Sequence, residues 1–164
     1  MALTRDVVRE WRLDGPCRIV VRPIKAGARI FEGAYVRRVL GTKYCAGGGS
    51  YVANYTREGA QSEGMNCSGL EGVAVESVDN TSGGDGAKTV RLRTCGFLKV
   101  EVAGVSSEAD TTNSTPDGGQ VEVRATDDGA ATIESEDGPL MGVIIEWITG
   151  GWVWLDLRTG RIAG

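Results

Sequence analysis

The chain has 164 residues, enough for one domain that hides about 70% of its unfolded surface and folds without disulfide or metal staples. Hydrophobic residues make up 41%, and Gly stands at 25 positions against 4 Pro and 6% aromatics, a mix that favours tight turns over long helices and predicts a mainly β fold. Residues 1–43 carry ten basic against four acidic side chains (+6), the remainder eight against eighteen (−10), and histidine is absent, which excludes Ser-His-Asp and Cys-His catalysis and removes the commonest metal ligand.

Residues 1–14 mix Thr4, Val7, Val8, Trp11 and Leu13 with charges. Val7, Val8 and Trp11 suit one face of a short helix, and the branched residues suit an extended arm equally. Gly15 and Pro16 break the chain, dividing an N-terminal arm (1–15) from a single β-rich domain (16–164). No apolar signal core precedes this point, so the four cysteines, Cys17, Cys45, Cys67 and Cys95, are expected as reduced, buried thiols of a soluble protein made in the cytoplasm. They form no C-x-x-C pair, and zinc is not expected. No segment reaches the ~18 to 20 apolar residues that cross a membrane.

CRIVVRPI (17–24) reads as a strand with Pro23 at an edge or end. Gly27 supplies a turn, and a strand is expected from Ile30 and Phe31 toward Val39. Residues 41–69 form a long, turn-rich excursion placed on the surface, with Tyr51, Val52 and Tyr55 as its anchor. Then GVAVESV (72–78) recurs as GVIIEWI (142–148), each copy running through a Gly-rich turn to a second β-rich segment, TVRLRTCGF (89–97) or WVWLDL (152–157). Between them lie a hairpin loop at 79–86, a short helical turn around Ser106 to Asp110, and strands at 120–127 and 131–135 about the turn Asp127 to Ala130. Two copies are too few for a solenoid. They predict two similar hairpins paired inside one small compact β-barrel or two-sheet sandwich with little helix.

Catalytic equipment is not evident. Asp127 and Asp128 form a carboxylate pair, but beside Gly129 they read as turn residues. AGGGS (46–50) lacks the G-K-[ST] ending of a phosphate loop. The cysteines have no visible thiolate-stabilising neighbours. Neither catalytic residues nor a metal or other cofactor is expected, and the arginines lack the aromatic interleaving of a nucleic-acid site. Trp147, Trp152 and Trp154 cluster on the second repeat, with Trp152 and Trp154 on one face of their strand. They read as core or subunit-interface aromatics, with sugar stacking as the alternative.

The order KAGARIFEGAYV (25–36), LEGVAVESVDN (70–80), TVRLRTCGFLKVEV (89–102), GGQVEVRATDDGAATIE (118–134) and GPLMGVIIEWITGGWVWLDL (138–157) resembles the tailed-phage capsid decoration, or head-stabilisation, proteins. Their domain, once of unknown function, is described as recombinase-like. The similarity covers residues 17–158 and rests on Gly and hydrophobic spacing. It implies a non-enzymatic virion protein on the capsid exterior that binds the major capsid protein as a homotrimer over threefold and quasi-threefold positions. It also implies stabilisation of the head against internal DNA pressure, without contact to nucleic acid or membrane. The alternatives are a tail or fibre-attachment subunit or a carbohydrate-binding module.

Within that reading the charge split and the Gly15-Pro16 break nominate Ala2, Leu3, Thr4, Arg5, Val7, Val8, Arg9, Trp11 and Arg12 as a capsid-docking arm. Leu3, Val7 and Trp11 would fill pockets while the backbone adds a strand to the shell protein. Arg5, Arg9 and Arg12 would steer toward acidic shell surface.

Overall fold

The computed structural model describes residues 3–12, 18–39, 51–55, 70–112, 119–135 and 138–159. Its strands are β1 (Trp11–Arg12), β2 (Ile19–Pro23), β3 (Arg29–Ile30), β4 (Tyr35–Val39), β5 (Tyr51–Asn54), β6 (Leu70–Ala74), β7 (Val78–Asp79), β8 (Thr89–Arg93), β9 (Cys95–Ala103), β10 (Glu122–Ala125), β11 (Ala131–Thr132), β12 (Leu140–Thr149) and β13 (Trp152–Arg158). One 3-10 turn, Glu108–Thr111, falls where Ser and acidic residues predict it. There the Asp110 carboxylate accepts from the Ser106 and Ser107 N–H groups at 2.9 and 3.0 Å. The protein is mainly β, and no helix among the described residues is long and apolar enough to cross a membrane.

The strands close into two rings. In the first the order is β2-β8-β6-β4-β5, and a parallel bridge between Ile24 and Val52 returns β5 to the end of β2. In the second, β9-β11-β10-β12-β13 closes through β13 onto β9, with β11 parallel to β9 at Ala131 and Val102. The registers correspond. Val36 faces Gly72 and Val123 faces Gly142, each followed by a bulge before Arg37 or Arg124. Ala74 faces Leu92 and Ile144 faces Leu155. The Ala74 N–H donates to Ala34 O at 2.9 Å, and the Ile144 N–H donates to Val121 O at 3.0 Å. Thus β2, β4, β5, β6 and β8 repeat as β9, β10, β11, β12 and β13. The recurring hairpins do form, as β6 with β8 and β12 with β13, but they do not pair with each other inside one barrel. Each occupies the same place in its own five-strand ring, the second closed by the β13–β9 ladder and the first by a single bridge between Ile24 and Val52.

Period-2 alternation explains the strands. Along β13, Val153, Leu155 and Leu157 point inward while Trp152, Trp154 and Asp156 point out, and each inward side chain contributes about 1.5–3 kcal/mol by burial. The first core holds Ile24, Ile30, Val36, Val52, Val90 and Leu92. The second centres on Leu98, Val100, Met141, Val153, Leu155 and Leu157, and Tyr35, Tyr55, Leu70 and Val73 of the first ring pack into it. That shared packing joins the rings.

Gly142 is required by closeness: a Cβ there would overlap the Asp156 carbonyl oxygen on the adjacent strand. Its repeat mate Gly72 sits against the Arg93 carbonyl in the same way. The strand expected from Ile30 to Val39 is interrupted. Gly33, with φ +81, turns the chain between β3 and β4, and its missing side chain makes room for the Val7 carbonyl. Tyr51, Val52 and Tyr55 do anchor their segment, with Val52 and Tyr55 buried. The rest of the 41–69 excursion, together with Ala2, Gly15, Pro16, Cys17, Cys45 and Cys67, lies outside the described residues. Cys95 is half-buried rather than buried, and its Sγ accepts from the Arg18 N–H at 3.0 Å.

Candidate docking surface

The N-terminal arm is extended and lies across both rings. Its backbone is tied at three places: the Leu3 N–H donates to Asp128 Oδ1 at 2.7 Å, the Val7 N–H to Glu32 O at 2.9 Å, and the Lys99 N–H to Glu10 O at 3.0 Å. Strand β1 then pairs with β9, Trp11 facing Leu98 and Arg12 facing Phe97. Side chains alternate accordingly. Leu3 packs against the first core and Trp11 against the second. Val7 and Arg9 are half-buried, while Thr4, Arg5 and Val8 are exposed. Of the three side chains nominated to fill pockets on a partner, Leu3 and Trp11 therefore face this chain's own body, while half-buried Val7 lines a surface groove. Arg5 and Val8 carry the outward face.

Charges hold the arm without weighing much in stability. Arg9 stacks 4.8 Å over the Tyr35 ring and donates through Nε to Gly33 O at 3.0 Å. Arg12 pairs with Glu146 at 2.8 Å and lies 5.4 Å over Trp154, while Lys99 pairs with Glu10 at 3.0 Å. These ion pairs are solvent-exposed, a setting where each contributes about 0–1 kcal/mol. Arg93, from the first ring, stacks 4.6 Å over Trp11.

The tryptophans divide. Trp147 packs against the second core and donates its indole N–H to Gly150 O at 3.0 Å. Trp154 and Trp152 lie on the outer face of β13, not in the core. Arg12 covers Trp154, whereas Trp152 is 38% exposed. Beside Trp152 a groove of about 350 Å³ runs between the arm and the tip of the β12-β13 hairpin. Val8, 85% exposed, forms its other rim, with Lys99, Ile148 and Thr149 between them. Val7, Arg9 and Glu10 of the arm complete the lining, so the groove mixes exposed apolar side chains with charged ones.

At the seam between the rings sits a polar knot that sequence reasoning missed. Asp127 behaves as the expected turn residue, its Oδ1 accepting from the Gly129 and Ala130 N–H groups at 2.8 Å each. Asp128 does more. It is fully buried, its Oδ1 takes the Leu3 N–H, and its Oδ2 takes the Asn54 amide at 3.1 Å. Its carbonyl oxygen accepts from the Tyr35 N–H at 2.7 Å. Burial pushes the Asp128 carboxyl above its usual value despite the hydrogen bonds from Leu3 and Asn54. Burial likewise raises the Tyr35 phenol, opposed by the nearby Arg9. These groups fasten the arm. Among the described residues, no three His, Cys, Asp or Glu side chains gather as a metal site would require.

Compared with protein-family models, curated proteins and solved structures, the chain matches none.

Proposed function

We propose that this chain is a decoration protein of a tailed-phage head. It binds the exterior of the mature shell through the major capsid protein, sits there as trimers at threefold and quasi-threefold positions, and stabilises the head against internal DNA pressure. The observation that carries the reading is the outer face made by the arm and β13, where Val8 and Trp152 rim an apolar groove and basic Arg5 lies exposed nearby in sequence. A cement protein needs a rigid body, a contact face and no chemistry. Two closed rings with a shared core supply the body.

Stabilisation follows from mass action. A protein that binds the expanded lattice and not the ruptured one shifts the balance toward the intact shell. Many copies each burying about 800 Å² per partner suffice without extreme affinity. In this form of the proposal the arm docks through Val7, Val8 and its other groove-lining and outward side chains, since Leu3 and Trp11 stay on the body. The test is co-sedimentation with unexpanded and expanded heads across a salt series. Saturable binding confined to expanded heads, weakening with salt, is expected; equal binding of a Val8→Asp/Trp152→Asp variant would remove this face from the reading.

The half-exposed Trp152 ring, with the Lys99 ammonium 5.9 Å from its centroid, favours one second reading, a sugar-stacking surface module. Quenching or enhancement of tryptophan fluorescence by an oligosaccharide panel would support it. No response, with head binding present, would leave decoration alone.

A further inference from the structure

The four tryptophans are not equally covered. Trp11 carries the Arg93 guanidinium at 4.6 Å and Trp154 that of Arg12 at 5.4 Å, while Trp147 packs against the second core. Lys99 reaches the Trp152 ring only at 5.9 Å, close to the limit of about 6 Å for such a contact, and Trp152 stays 38% exposed. It rims the groove between the arm and the β12-β13 tip, with Val8 on the other rim. The polar side chains of that lining are Thr149, Lys99, Glu10 and Arg9.

The charges of the lining are already answered. Lys99 Nζ stands 3.0 Å from Glu10 Oε2, and Arg9 turns its guanidinium to the body, donating through Nε to Gly33 O at 3.0 Å and through Nη2 to Gly129 O at 3.4 Å. An ionic ligand therefore meets no opposite charge left over. A wholly apolar one fares no better, because covering the Lys99–Glu10 pair without replacing its water costs free energy. The lining suits a ring that is apolar on its face and hydrogen-bonding around its edge. The volume of about 350 Å³ lies near the small end of ligand pockets, which span about 300–1,000 Å³, and gives room for one such ring.

We infer that this groove binds one uncharged pyranose ring, its C–H face laid on Trp152 and two neighbouring hydroxyls set on the Lys99–Glu10 pair. The Lys99 ammonium donates to one hydroxyl oxygen, and the adjacent hydroxyl donates to the Glu10 carboxylate. Because the two charged atoms are 3.0 Å apart, hydroxyls on adjacent carbons reach both at once. The Thr149 hydroxyl, on the residue facing Trp152 across the hairpin, adds one more group that can donate or accept. The inference rests on the sugar-stacking reading and deepens it, naming the ligand's charge and the parts played by Glu10 and Lys99. It is tested apart from head binding, because the probes are free sugars.

The probes are the methyl glycosides of glucose, galactose and mannose at millimolar concentration. Glucuronate and glucosamine serve as charged counterparts, and N-acetyltyrosinamide as a flat ring with a single polar edge. Amide and indole NMR on the full chain is read beside saturation transfer to the sugar protons. At least one neutral glycoside is expected to shift the Trp152 indole and the Lys99 and Thr149 amides, with saturation strongest at its ring C–H protons and weaker binding of the charged sugars. Trp152→Ala removes the response, and Glu10→Gln weakens binding about ten-fold. Should Trp152→Ala not fold, Trp152→Phe keeps a smaller ring and is expected to bind more weakly than wild type. No response to any neutral glycoside, equal binding of the charged sugars, tighter binding of N-acetyltyrosinamide, or a response unchanged in a folded Trp152 variant would each overturn the inference. A response lost in Trp152→Ala and undiminished in Glu10→Gln would overturn the assigned polar contacts and keep the sugar-stacking reading, whereas no response at all removes both.

Discussion

Asp128 fixes the arm to the seam between the rings, and its replacement isolates that contribution. Asp128→Ala takes the acceptor from the partly buried Leu3 N–H and Asn54 amide, an arrangement that costs about 1–3 kcal/mol, to be read from urea unfolding. The pH dependence has a definite sign. Burial raises the carboxyl in the folded chain, so the folded state holds this proton more tightly than the unfolded one. The group's stabilising contribution is therefore complete below the unfolded value near 3.8 and is lost as pH rises through the folded value. The stability of wild type minus that of Asp128→Asn should increase on acidification from pH 7; a constant or falling difference would contradict the burial. The turn role of Asp127 was legible because Asp two residues ahead of a turn Gly accepts from the backbone N–H groups that follow it. The role of Asp128 was not, since its partner Leu3 is 125 residues away and no local pattern encodes it.

At the scale of elements, the two repeat glycines are the sharpest probes. Gly72→Ala and Gly142→Ala each drive a Cβ into a carbonyl oxygen of the neighbouring strand. Each should cost about 2 kcal/mol or more by forced backbone shifts; tolerance of both substitutions, measured as unchanged midpoints, would refute the close approach. Strand β1 is held chiefly by Trp11. Trp11→Ala should cost about 1–3 kcal/mol, through lost partial burial and the Arg93 stack, and should speed hydrogen exchange at the Lys99 amide. The hairpins were readable because alternation and a Gly-rich turn are local signals. Their assignment to separate rings was not. Closure depends on the Ile24 to Val52 and Val102 to Ala131 contacts, which join segments of unremarkable sequence. The path of the arm was open for a similar reason: its alternation of Val7, Arg9 and Trp11 inward appears only once a body is present to face.

For the whole molecule, the basic first third supplies the arm, which crosses both rings, and later carboxylates answer several of its arginines, Glu146 to Arg12, Glu71 to Arg22 and Arg38, and Asp79 to Arg29. In the proposed decoration role the exposed Arg5 faces outward, so binding to heads should fall as ionic strength rises past the point where the Debye length is about 8–10 Å. Salt-independent binding would point instead to the Val8 and Trp152 face alone. The decoration reading itself concerns mechanical stability of the shell. Its most direct measurement is the temperature at which DNA-filled heads stripped of their decoration protein release their DNA, with and without saturating amounts of this chain. The account predicts a clear rise in that temperature, saturating with the bound copies. An unchanged release temperature at full occupancy would contradict it.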